Sequence, residues 1–382
     1  MPEPLIPTFD PIAMTAELKA RLIGLPCVSE ALPGVGGVIK TEPEHFEVEE
    51  ILPYSACGEG EHVFITLRRS GWNTPDVARA LINRFKIPPV DVGWGGRKDK
   101  RAVVTQTFSV RLPLGLPLPR IQEELADLPF EILGIERHRN KLKTGHVAGN
   151  RFCILLSRPD PGALDQAGAI AEMLRRLGIP NYFGEQRFGI AMRNLDRAAG
   201  LLARKRTPRG RDNLFLVSAL QSALFNCWLG ERFGDGFSAC MLPGDVARKT
   251  DTGGLFLVED EKDANTRFNN GEIVYTGPMF GHKMKAAGHL AARREAALLQ
   301  RFALQTTMFK PLRAPGTRRA GLIRLDDLAI RPASQGLEFR FTLPAGSYAT
   351  TVMREFTRPQ SPGRPAAAGA DPGADGQAGN ES

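Results

Sequence analysis

The sequence predicts an α+β protein of two domains, on three observations. The chain has 382 residues, more than the roughly 150 of a common single domain. Strand and helix signatures alternate from Val38 to about Gly178. Helical texture then dominates to about Lys310, and strand texture returns only at Gly336 to Leu343. The two strand-rich ends are therefore expected to form one unit, with the helical middle inserted into it.

Each element has its own signal. Glu61 to Arg68 alternates around Val63, Ile65 and Leu67, as a half-buried strand does. Thr74-Pro75 reads as an N-cap followed by a first-turn proline, and Val77, Ala80, Leu81 and Phe85 follow at helical spacing, predicting a helix from Asp76 to Lys86. Val103 to Arg111 and Arg151 to Leu156 read as strands. Leu164 to Leu177 reads as a helix stopped by Gly178 and Pro180. Leu195 to Lys205, Leu214 to Phe233 and Ala287 to Phe302 are the helices of the middle. Arg358 to Ser382 holds no branched aliphatic or aromatic residue, so it is expected to be a disordered tail with nothing to bury.

Composition excludes several classes. Hydrophobic residues at 42% and charged residues at 24% are those of a globular chain. The most apolar stretch, Leu214 to Leu229, is interrupted by Ser218, Gln221, Ser222 and Asn226, so no membrane span is expected. Glu3 and Asp10 stand where a secretory signal needs a basic start, and a cytoplasmic protein is expected. The five cysteines are scattered without a C-x-x-C pair, which leaves neither a disulfide framework nor a zinc site to expect. The net charge of +8 favours an anionic partner, nucleic acid before membrane. Gly34-Val-Gly-Gly37 is not a dinucleotide fingerprint and Asp99 stands where a phosphate loop needs Ser or Thr after Lys98, so no cofactor is expected.

The chemistry concentrates at Gly93-Trp-Gly-Gly-Arg-Lys-Asp-Lys-Arg101. One carboxylate, Asp99, sits among Arg97, Lys98, Lys100 and Arg101. Such cations hold a carboxylate ionised, the form a nucleophile or base requires. A basic surface turn whose Asp relieves repulsion is the plain alternative. Arg137, Arg139, Lys141 and Lys143 recur every second residue, so a strand there would present a one-sided basic ribbon to phosphates or simply guard a sheet edge. Arg204 to Arg211 is a third basic cluster on a Pro/Gly-broken loop. Aromatics beside glycine at Asn181 to Gly184, Arg187 to Gly189 and Gly346 to Tyr348 suit base stacking or core anchoring. Asn150 and Phe152 fall on the same side of a strand and could grip a planar base, with core packing of Phe152 the alternative.

These segments, in this order, resemble the TruD family of tRNA pseudouridine synthases, those modifying position 13 of tRNA. The matching pieces are Lys40-Thr-Glu-Pro-Glu-His-Phe-Glu-Val-Glu49, Gly60-Glu-His-Val63, Gly96-Arg-Lys-Asp-Lys100, Arg137-His-Arg139 and Gly149-Asn-Arg-Phe152. They continue with Asn181-Tyr-Phe-Gly-Glu-Gln-Arg-Phe-Gly189, Ser222-Ala-Leu-Phe-Asn226, Gly277-Pro278, Pro344-Ala-Gly-Ser-Tyr-Ala-Thr350 and Arg354-Glu355. The resemblance implies a V-shaped, two-domain pseudouridine synthase fold whose catalytic domain, 1–178 and 320–357, holds a mixed or antiparallel sheet. It places a family-specific insertion at 179–319 and leaves 358–382 as the tail. It implies Asp99 as the catalytic aspartate and Lys40 as the cation facing it, with Phe46, Asn150, Phe152 and Tyr348 binding the base. Arg97, Lys98, Arg137, Arg139, Lys141 and Lys143 are the candidates for the RNA backbone. One departure stands out: the family usually reads A-x-T-x-Q after the aspartate, and this chain reads Ala102-Val-Val-Thr-Gln106, which sends the hydroxyl to the other face.

The function so implied is isomerisation of a tRNA uridine, by a monomer without protein partner, metal or membrane. A tRNA-folding helper using the same basic cleft is the alternative from another class, and the two roles are compatible. A glycoside hydrolase would need a second carboxylate flanking the bond, and none accompanies Asp99 in its motif.

Overall fold

The computed structural model describes residues 9–204 and 210–358, the side chain of Arg211 excepted. The expected tail beyond Arg358 and the interior of the Arg204 to Arg211 cluster lie outside the described residues.

A nine-stranded sheet forms the larger unit. Its strands are β1 (Gly36–Val38), β2 (Phe46–Ile51), β3 (His62–Arg69), β4 (Val92–Trp94), β5 (Val103–Arg111), β6 (Glu131–His138) and β7 (Gly149–Pro159), with two more from the far end of the chain. After β8 (Ile179–Pro180) the chain runs through β9 (Val246–Lys249), β10 (Leu255–Leu257), β11 (Ile273–Met279), β12 (Thr317–Ala320) and β13 (Leu322–Ile323) before returning as β14 (Ala329–Ala333) and β15 (Gly336–Pro344). The order across the large sheet is β14-β15-β7-β2-β5-β3-β6, with β1 also on β7 and β4 also on β5. Only β2 and β5 pair in parallel among the described ladders, so the sheet is mixed and mostly antiparallel. β9 to β12 form a separate four-stranded sheet in the order β10-β9-β11-β12, and β8 pairs with β13 where the chain leaves and re-enters the larger unit.

The helices are α1 (Pro11–Ile23), α2 (Thr74–Phe85), α3 (Leu118–Leu125), α4 (Ala163–Leu177), α5 (Arg193–Ala203), α6 (Gly210–Gly234), α7 (Glu261–Asn269), α8 (His289–Arg301) and α9 (Ala349–Phe356). One core lies between the sheet and α4 and α9, built on Ile154, Leu156, Ile170, Leu174, Phe339 and Phe356. A second lies under α2 and α3 and includes Ile65, Val77, Leu81, Phe108 and Ile121. The third, around α5 and α6, takes in α1 through Met14, Leu18 and Leu22. The first helix of the chain thus packs with the helical middle, away from the strands that follow it.

Three local readings are corrected. The cap of α2 is Asn73, whose side chain accepts the Asp76 N–H at 2.9 Å, and Thr74 is the first helical residue, its hydroxyl engaged elsewhere. β6 ends at His138, so Arg139, Lys141 and Lys143 leave the sheet and the one-faced basic ribbon does not form. Arg358, assigned above to the tail, instead donates to the backbone oxygens of Ser29 and Leu32 at 2.6 and 3.0 Å. The Arg354-Glu355 pair has a similar duty. Glu355 accepts the Val28 and Ser29 N–H groups at 3.1 and 3.0 Å and ties α9 to the segment after α1.

Candidate active site

The turn between β4 and β5 carries Asp99, and tight backbone packing places it. A Cβ on Gly93 would lie 2.1 Å from the Leu142 carbonyl oxygen, and one on Gly95 would lie 2.5 Å from a Val147 methyl. Only glycine lets β4 and its continuation press so closely on residues 142–147. Beneath the turn is a buried polar brace. Lys98 donates through Nζ to Glu50 Oε2 at 2.7 Å, and these side chains are 9% and 0% exposed. Gln106 Nε2 donates to the same Glu50 oxygen at 3.0 Å and to the Gly96 carbonyl at 2.7 Å. The Thr74 hydroxyl accepts the Lys98 N–H at 2.9 Å and donates to Gln106 Oε1 at 3.0 Å. The turn that holds Asp99 is therefore pinned from below.

Above the brace, Lys40 Nζ lies 3.1 Å from Asp99 Oδ2 and 4.2 Å from the centre of the Phe46 ring. Lys40 has φ of 61°, a left-handed backbone that costs a non-glycine residue about 1–2 kcal/mol. Burial by itself would push the Asp99 carboxyl up; the charge and hydrogen bond of Lys40, with the backbone N–H groups of Arg101 and Lys100, outweigh it and hold the carboxyl below its ordinary value. The aspartate is anionic at neutral pH.

The cleft holding this pair has a volume of about 600 Å³ and is bounded by Lys40, Phe46, Asp99, Asn150, Phe152 and Tyr348. Antiparallel pairing of β2 with β7 sets Val48 opposite Phe152 and Glu50 opposite Asn150, which brings Phe46 and Phe152 edge to face at 6.0 Å. Asn150 Oδ1 is buried without a hydrogen-bond partner. A buried, unfilled acceptor beside two rings suits a planar ligand bearing an N–H. Among the described residues lining the cleft, Asp99 is the single carboxylate, which removes the paired-acid arrangement of glycoside hydrolysis. Val104 lies in the core while Thr105 is partly exposed, so the shifted hydroxyl does point away from the cleft side.

The candidates for the RNA backbone divide. Lys98 belongs to the brace and faces Glu50. Arg137 donates to the carbonyls of Gly60, Pro113, Leu114 and Leu116 and works as a loop staple. Arg139 pairs with Glu59, and Lys141 donates to the Val90 carbonyl. Arg97 and Lys143 are exposed, and among the described residues their side chains engage in no hydrogen bond or ion pair. Glu50, Thr74 and Gln106 are the positioning residues that sequence reading missed. Only the place of Gln106, two residues after a variable hydroxyl, offered a signal.

The fold is that of a pseudouridine synthase, and its cleft sets one anionic aspartate and one facing lysine beside an aromatic slot at the edge of a mixed sheet. The family model described as tRNA pseudouridine synthase D (TruD) matches residues 22–209 and 202–356. A tRNA pseudouridine synthase D of Anaeromyxobacter dehalogenans (strain 2CP-C) is 41% identical over 345 residues, 87% of this chain and 96% of that one. One from Thermus thermophilus is 39% identical over 340 residues, 87% of this chain and 92% of that one. A crystal structure of a TruD-type protein from Methanosarcina mazei superposes with a TM-score of 0.70 at 21% identity, covering 89% of this chain and 98% of the other, and shares the fold. The chain belongs to the TruD family.

Proposed function

We propose that this chain converts a uridine of tRNA, the one at position 13, to pseudouridine, with Asp99 as nucleophile or base. The observation that carries the reading is the Lys40–Asp99 pair, 3.1 Å apart, at the mouth of an aromatic cleft with an unfilled amide acceptor. The reaction breaks the N1–C1′ bond, turns the uracil and forms a C5–C1′ bond; C5 gives up its proton and N1 takes one up, so substrate and product have the same atoms. Asp99 acts on the ribose side, Lys40 keeps it ionised, and Asn150 with Phe46, Phe152 and Tyr348 holds the base during its rotation. The uridine must first leave its stack, at a cost of about a few kcal/mol, repaid by the rings of the cleft.

Asp99→Asn tests the assignment. The amide is nearly isosteric and removes a negative charge from a basic surface, so tRNA affinity should be kept or improved. Single-turnover pseudouridine formation should fall to background. A variant that isomerises at the wild-type rate would remove Asp99 from the chemistry. Wild-type protein that binds tRNA without making pseudouridine would leave a binding module.

A further inference from the structure

The signature Asn181 to Gly189 lies outside the Lys40–Asp99 chemistry, and the structure gives it another task. Its centre is the Phe183 ring. Arg319, on β12, stacks on that ring with its guanidinium carbon 4.0 Å from the centroid, and Arg187 lies 5.8 Å from the same centroid. Tyr348 of the catalytic cleft meets Phe183 edge-on at 6.0 Å. Asn226 of α6 clamps the Phe183 backbone, accepting its N–H at 2.8 Å and donating to its carbonyl at 2.9 Å. Gly184 is required here, since a Cβ would lie 2.9 Å from Tyr348 Cδ1.

Both guanidinium groups are half-buried, and among the described residues neither has a carboxylate within ion-pair distance. Arg319 donates through Nε to the Asn181 carbonyl at 3.1 Å and through Nη2 to Asn181 Oδ1 at 2.5 Å and the Gly346 carbonyl at 3.0 Å. Arg187 donates to the hydroxyls of Ser222 and Ser218. No hydrogen bond among the described residues uses Nη1 of either. Burial pushes the Arg319 guanidinium down to about 10, and the neighbouring charge of Arg187 adds to that. Two desolvated cations oriented by neutral groups alone are costly unless an anion completes them. Gly346 and Tyr348 join this pair to the wall of the catalytic cleft.

We propose that Arg187 and Arg319 form a phosphodiester-binding site that seats the RNA backbone beside the nucleotide whose base enters the cleft. The inference rests on the proposed tRNA reading and names a backbone contact for it. Guanidinium groups present paired N–H donors matched to phosphate oxygens; the Phe183 stack and Asn181 hold Arg319, and the hydroxyls of Ser218 and Ser222 hold Arg187, before RNA arrives.

The test measures tRNA affinity of the full chain against salt for Arg187→Gln, Arg319→Gln and the matching Lys variants, with thermal midpoints and wild-type pseudouridine formation alongside. Each Gln variant should flatten the slope of log affinity against log salt by about 0.7–0.9 and weaken binding about tenfold, while its thermal midpoint holds or rises. The Lys variants, which keep the charge, should keep most of the slope. A lowered thermal midpoint with an unchanged slope would make the pair structural and overturn the proposal. Inorganic phosphate that stabilises wild type but not the Gln variants, with the slope unchanged, would make it a free-anion site and also overturn it. If wild type forms no pseudouridine and the slopes still flatten, the functional reading fails and this site stands. If wild type forms pseudouridine and the slopes are unmoved, the site alone fails.

Discussion

Lys98→Met separates two roles for one cation. On charge pattern Lys98 faces RNA; in the structure it is the partner of a fully buried Glu50 carboxylate at 2.7 Å. Met fills nearly the same volume but leaves that carboxylate with only the Gln106 amide on Oε2, and Oε1 has no partner already. Removing one partner of a buried ion pair costs about 3–5 kcal/mol, and the surviving amide bond puts this case near the lower end. At roughly 2–4 °C per kcal/mol for units of this size, the thermal midpoint should fall by on the order of 10 °C. The Asp99 turn keeps its Thr74 and Gly96 anchors, so single-turnover rate should drop, by up to about 100-fold if the carboxylate shifts by about 1 Å, with tRNA affinity unchanged. Adding Glu50→Gln removes the orphaned charge and should restore most of the midpoint. Differential scanning calorimetry and a rapid-quench assay read both quantities. An unchanged midpoint together with a flatter salt dependence of binding would return Lys98 to the RNA surface and refute the brace.

Two further outcomes are expected. Lys40→Met removes the cation that holds the Asp99 carboxyl down, so the acid limb of kcat/KM should move to higher pH; a limb that stays in place would dissociate Lys40 from Asp99. The sign carries to stability as well. A depressed carboxyl stabilises fully above its unfolded value, and the contribution is lost as pH falls through the folded value. In the inserted unit, Asp245→Asn should strip Arg232 of a carboxylate bonded at 2.9 and 2.7 Å, in a pair whose side chains are 1% and 2% exposed. About 3–5 kcal/mol should be lost by denaturant titration, and a loss below about 1 kcal/mol would show the guanidinium content with its carbonyl partners and the Tyr275 ring.

The parts legible in the sequence were those with a local cause. Strand β3 and helix α4 follow from alternation and a glycine stop, and Asn150 and Phe152 share a face because strands have a period of two. The cation-ringed Asp99 was visible for the same reason. Lys98, Arg137 and Lys141 find internal acceptors that charge density alone does not announce. Glu50, Thr74 and Gln106 come from three different elements and meet only through the β2–β5 and α2 packing, so no spacing announces them. The packing of α1 against α5 and α6 is equally silent, since an amphipathic helix does not name its partner.

The pairing of β7 with β15, nine residues long from Gly336 opposite Ser157 to Pro344 opposite Gly149, has a consequence for biosynthesis. β7 carries Asn150 and Phe152, yet one of its two edges is completed by a strand synthesised about 180 residues later. At roughly 5–20 residues per second, a ribosome needs on the order of 10–35 s to make the difference. During that interval the apolar row Phe152, Ile154 and Leu156 has no β15 or α9 to cover it, while the inserted helices are already available to fold among themselves. Among the described elements, the larger sheet is thus the last to close. A nascent protein stalled before Gly336 exposes an unpaired strand edge of the kind that chaperones hold and aggregates recruit.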